Sequence, residues 1–139
     1  MREGGMGVSE QTQVAGGSPL TAAAPAGRER YERLRSSAIA ALEGGRLREA
    51  RERLDEAWRW AAAEGDVDLA DRATCNLAAV DLALGELERP LPELRRILIG
   101  NRSPENCFLA AYNMARALEL RKEHKKGLFY ARIAQDRAL

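Results

Sequence analysis

Small residues return along this chain at two fixed offsets, and no other feature restricts its fold so tightly. Ala38 is followed 12 residues later by Ala50 and 19 later by Ala57, and Ala115 is followed at the same offsets by Gly127 and Ala134. Ala78 opens a partial copy, in which Pro90 and Ile97 hold the corresponding places. The three copies lie 40 and 37 residues apart. On either side of each polar break the chain is rich in Ala, Leu, Arg and Glu, which favour helices, and no run from Arg28 onward alternates as a half-buried strand does. Antiparallel helices approach closely only where side chains are small. The spacing therefore predicts helical hairpins, with Ala115 and Gly127 at the crossing of the last pair and Ala134 set against a following unit.

Punctuation residues predict where the helices end. "EGGRL" at Glu43 to Leu47 and "LGELE" at Leu84 to Glu88 place glycine where a helix must stop and reverse. Gly45 and Gly85 each follow the first small residue by seven positions, and Lys122 takes that place in the last copy. "AEGDVDLADR" stops one helix near Gly65 and opens another with acidic residues in its first turn. "RSPEN" offers Ser103 as an N-cap and Pro104 at the first helical position. Six helices follow: Arg30 to Glu43, Leu47 to Glu64, Asp68 to Leu84, Leu91 to Ile99, Pro104 to Lys122 and Lys126 to Leu139. The prolines at 90 and 92 predict that the fourth begins late and is short.

The N-terminal stretch differs in kind. Residues 1–27 hold six of the 12 glycines and two of the five prolines with almost no large aliphatic side chains, so the expectation is a disordered tail ahead of a helical domain at 28–139. Lys and Arg number 22 against 21 Asp and Glu, and a net charge of +1 gives no general reason to expect nucleic acid or a membrane surface as partner. No apolar run approaches the roughly 20 residues that span a bilayer, and no signal-peptide core is present. Two cysteines without pairing or metal-ligand spacing fit a reducing cytoplasm.

In the register of its small residues, "AAYNMARALELRKEHKKGLFYARIA" at Ala110 to Ala134 resembles the helix-turn-helix unit of the tetratricopeptide repeat family, including the Tyr-Asn entry to its first helix. The resemblance covers Arg30 to Leu139 as three units and implies an all-α fold of antiparallel hairpins stacked into a superhelical solenoid. It departs from the family in spacing and in the signature tryptophan, whose place is taken by Leu34, Thr74 and Ala111. The last helix carries Leu128, Phe129 and Ile133 with no polar capping helix after it, so the chain reads either as a fragment of a longer array or as one that uses this face for contact.

The same resemblance implies a concave groove lined by the first helix of each unit. It would present Glu32, Arg35, Ser36 and Ile39, then Arg72, Cys75, Asn76 and Ala79, then Leu109, Tyr112, Asn113 and Arg116. Candidate ligand residues are Arg35, Arg72, Asn76, Tyr112, Asn113 and Arg116: the arginines to attract an acidic segment, the asparagines to hydrogen-bond an extended backbone. The family's carboxylate clamp is matched only by Arg35 and Asn76, since Ile39, Leu109 and Asn113 replace its other members. Trp58 and Trp60, two apart on one helix, predict one packed against the next hairpin and one exposed.

Catalytic sets are not assembled. His124 sits alone in the turn "RKEHKK", one histidine and two cysteines on separate helices make no zinc set, and "EGGRL" lacks the ending of a phosphate-binding loop. No cofactor or metal is expected. The sequence thus predicts a non-enzymatic cytoplasmic scaffold or adaptor that holds a protein or peptide in its groove. The competing expectation is a regulatory or sensor domain of a larger protein that self-associates through its C-terminal helix.

Overall fold

The computed structural model describes residues 25–138, and among these every regular element is helical. The order is α1 (Pro25–Glu43), α2 (Leu47–Ala63), α3 (Val67–Ala83), α4 (Leu91–Gly100), α5 (Pro104–Leu120) and α6 (His124–Ala138). Most of the tail expected at residues 1–27 lies outside the described residues. Its last three residues do not belong to a tail at all: Pro25 opens α1, and Gly27 lies within it. The reason is packing. A Cβ at Gly27 would fall 2.7 Å from Cζ2 of Trp60, so glycine here lets α1 lie directly on the indole.

The junctions obey the chemistry of helix ends. Asp66 Oδ1 accepts from the Leu69 amide at 3.1 Å, and Ser103 Oγ accepts from the Asn106 amide at 3.2 Å. Five residues between helices adopt the left-handed conformation: Gly45, Gly65, Gly85, Asn101 and Lys122. Lys122, at φ 67°, does without glycine what Gly45 and Gly85 do at 78° and 85°, so the turn register is geometrically intact in all three units. With Pro90 as its N-cap, α4 is the shortest helix, at 10 residues.

Neighbouring helices pack side by side, with α1 on α2, α2 on α3, α4 on α5 and α5 on α6, while α3 also meets α5. Contact between α3 and α4 is much slighter. Buried Ala38, Ala41, Ala50 and Leu54 gather against Val80, and Tyr31, Ala57 and Ala61 against Leu69 and Ala73. A third cluster joins Leu91, Leu94 and Ile97 of α4 to Ala110, Met114 and Ala117 of α5. Burying such side chains stabilises by about 1.5–3 kcal/mol for each larger aliphatic. At the last crossing, a Cβ on Gly127 would stand 3.4 Å from the Ala115 carbonyl oxygen, the close approach the spacing calls for. Ala134 corrects its assignment: it is already buried within this chain and is not held open for a following unit.

The tryptophans also need correction. Trp60 packs on Tyr31 of its own hairpin, ring centroids 6.0 Å apart, and not primarily on the next one, because Gly27 and Tyr31 open a slot on α1 beside it. Trp58 is partly exposed.

From Leu69 to Leu82, α3 has no exposed residue, which makes it the hub of the fold. Its buried carboxylates are compensated: Asp71 meets Arg96 at 3.0 Å, and Asp81 meets Arg51 and, at 3.8 Å, Arg89. Burial nonetheless pushes the Asp81 carboxyl above its ordinary pKa, the two arginines offsetting part of that rise.

Candidate functional site

Repeat register allows burial to be compared position by position, and the comparison sorts the faces of each first helix. At equivalent positions Arg33, Ala73 and Ala110, and again Ala40, Val80 and Ala117, the residue is exposed in α1 and buried in α3 and α5. These positions face the preceding unit. Arg35, Cys75 and Tyr112, with Leu42, Leu82 and Glu119, run the other way, covered in the first two units and exposed in the third. They face the following unit. A third set is buried in no unit: Glu32, Arg72 and Leu109; Ile39, Ala79 and Arg116; Glu43, Ala83 and Leu120.

The six candidates do not share one surface. Arg72 and Arg116 lie on the stripe that is never buried, with half-buried Asn76 beside it. Arg35 and Tyr112 belong to the flank that faces a following unit. Arg35 is half-buried and bound to Glu32 at 2.8 Å, so its charge is compensated locally. Tyr112 is 47% exposed and stacks on Phe108, centroids 6.1 Å apart and planes 25° apart.

Asn113 is placed by packing and not in a groove. It is buried, and its Nδ2 donates to the Cys75 carbonyl at 2.9 Å. Seven residues earlier, buried Asn106 donates likewise to the Asp68 carbonyl at 3.0 Å, while Tyr31 Oη donates to the Leu69 carbonyl at 3.0 Å. All three bonds span 38 residues. They are rungs between successive first helices, and Asn106 is the member that sequence reasoning missed. The spacing of seven from Asn113 was the available signal, because it puts both amides on one side of α5. Cys75, placed in the groove by the register, is fully buried, and burial pushes its thiol up to about 12, so it remains protonated.

Arg72 serves both roles. Its Nε donates to Asn106 Oδ1 at 2.7 Å and its terminal nitrogen pairs with Glu105 at 2.7 Å, so the guanidinium is anchored across α3 and α5. Among the described residues no carboxylate lies within 4.0 Å of Arg116. His124 is exposed at the start of α6, beside the Glu119 carboxylate.

Charge is divided along the array, a pattern the total of +1 conceals. Residues 25–88 hold 10 Lys and Arg against 14 Asp and Glu, whereas residues 89–138 hold 11 against five. The C-terminal half is therefore basic and the N-terminal half acidic. Among the described residues no three His, Cys, Asp or Glu are grouped to hold a metal ion, and no helix is long and apolar enough to cross a membrane. Comparison with protein-family models, with curated proteins and with solved structures finds no match.

Proposed function

We propose that this chain is a tetratricopeptide-like interaction scaffold, without catalytic activity, that holds an extended acidic segment of a partner protein along α1, α3 and α5. The observation that carries the reading is the stripe through Glu32, Arg72 and Leu109, Ile39, Ala79 and Arg116, which is buried in none of the three units. A surface kept open at equivalent positions of successive hairpins is continuous, and continuity is what an extended ligand requires. Arg116 supplies the uncompensated charge, Arg72 a charge already held by Glu105, and Asn76 a donor and an acceptor for the ligand's backbone.

A pull-down with the whole chain identifies the partner, and binding kinetics then test the stripe. Arg116→Glu slows association and reduces its salt dependence, whereas Asn76→Ala raises the off-rate at every salt concentration by about 1 kcal/mol. Unchanged kinetics in both variants would remove the stripe as the site. The regulatory reading rests on exposed Leu128 and Phe129 of α6, and sedimentation of the chain alone separates it, since it requires an obligate dimer.

A further inference from the structure

We propose that the open end of the array, formed by α5 and α6, seats an acidic amphipathic helix from a partner protein. This surface is distinct from the α1/α3/α5 stripe, although Arg116 borders both.

The end face is defined by the burial register of both helices of the unit. On the second helices, Arg51 and Leu91 are covered where Leu128 is 53% exposed, and Leu54 and Leu94 are buried where Ala131 is exposed. On the first helices, Arg35 and Cys75 are covered where Tyr112 is exposed. Tyr112, Arg116, Leu128 and Ala131 thus occupy, in the third unit, the positions that the first two units cover. What covers them there is the first helix of the next unit, as α3 lies against α2 and α5 against α4. The open face has the shape of a helix seat, apolar and small at its centre.

Its occupant's chemistry follows from the two seats already filled. Three ion pairs cross between units: Arg28 with Asp66, Arg51 with Asp81, and Arg72 with Glu105. In every one the arginine belongs to the preceding unit and the carboxylate to the helix that docks on it. At the open end the preceding unit offers Arg116, without a carboxylate within 4.0 Å among the described residues, inside the basic half of the chain. Complementarity therefore calls for an acidic helix. A second copy stacked head to tail does not supply one. Where α3 and α5 present Asp66, Asp81 and Glu105, the equivalent positions of α1 hold Ala26, Ala41 and Arg28.

The test uses a helix of the required kind, a lactam-locked synthetic peptide of residues 66–84, whose four aspartates and one arginine leave it acidic and whose helicity circular dichroism verifies. Fluorescence anisotropy with the full chain is expected to show saturable binding that weakens with salt. Ala131→Glu and Leu128→Glu each weaken it about tenfold or more, as does replacing the peptide's aspartates with asparagine, while Asn76→Ala on the stripe changes it by less than about twofold. Thermal melts confirm that the exposed-site variants remain folded. Absence of binding by the helical peptide overturns the proposal, as does binding indifferent to Ala131→Glu. A dimer of the chain alone that Ala131→Glu dissociates overturns it too, because the seat is then taken by a second copy.

Discussion

The second and third hairpins share one register and pack in opposite ways. In α5/α6 the small residues Ala115 and Gly127 face each other, and the helices lie against one another over most of their length. In α3/α4 the place of Gly127 is taken by Pro90 and that of Ala134 by Ile97, and the two helices share little surface. Deprived of a close crossing, α4 buries Leu91, Leu94 and Ile97 against α5 of the next unit. Its tie to α3 is largely the ion pair of Arg96 with Asp71. The difference teaches that a hairpin closes by what its crossing positions omit, and that a helix refused by its own partner can complete its core in the neighbouring unit.

The largest expected effect tests where α4 is held. Leu94 is fully buried, and Leu94→Ala should cost about 2–5 kcal/mol in urea unfolding if the α4/α5 cluster is a true core. A loss under about 1 kcal/mol would mean that α4 is only loosely attached.

The tight hairpin is probed next. Gly127→Leu drives a side chain into the Ala115 carbonyl and should cost about 1–3 kcal/mol, read as a lowered melting temperature. Gly127→Ala sets a Cβ at 3.4 Å, ordinary contact, and gains helix propensity, so it should stay within about 1 kcal/mol of the parent. Equal melting temperatures for the parent and the leucine variant would remove the close crossing.

The smallest effect lies in the turn that closes the same hairpin. Lys122 adopts a left-handed conformation that glycine enters without steric cost, so Lys122→Gly should stabilise by about 0.5–1 kcal/mol after its greater unfolded-state freedom is subtracted. Gly85→Ala, at the equivalent turn of the loose hairpin, should destabilise by a similar amount. A destabilising Lys122→Gly would show that this side chain contributes more than its backbone geometry costs.

Helix number and helix ends were legible because they are local. Ser103, Asp66 and the turn glycines act through bonds and dihedrals within a few residues, and the six helices lie within a few residues of their expected limits, except at α1. There the expectation failed for a tertiary reason: Gly27 reads as a tail residue by composition but belongs to a helix because Trp60, 33 positions away, packs on it. The candidate site was legible in part. Arg72, Asn76 and Arg116 fall near one open stripe, as the register proposed, whereas Asn113 is one helical position further round and turns inward to the Cys75 carbonyl.

By itself, then, the sequence determined that the body is helical, where each helix starts and stops, and where Ala115 and Gly127 let two helices meet, since propensity, capping and side-chain volume are properties of short segments. Tertiary structure alone decided which partner each helix chose and which polar groups went inside. Asn106, Asn113, Asp71 and Asp81 have the same donors and acceptors in any helix. They become interior rungs and ion pairs only because α3 is enclosed by its neighbours, where a buried polar group must find a partner to offset its lost hydration.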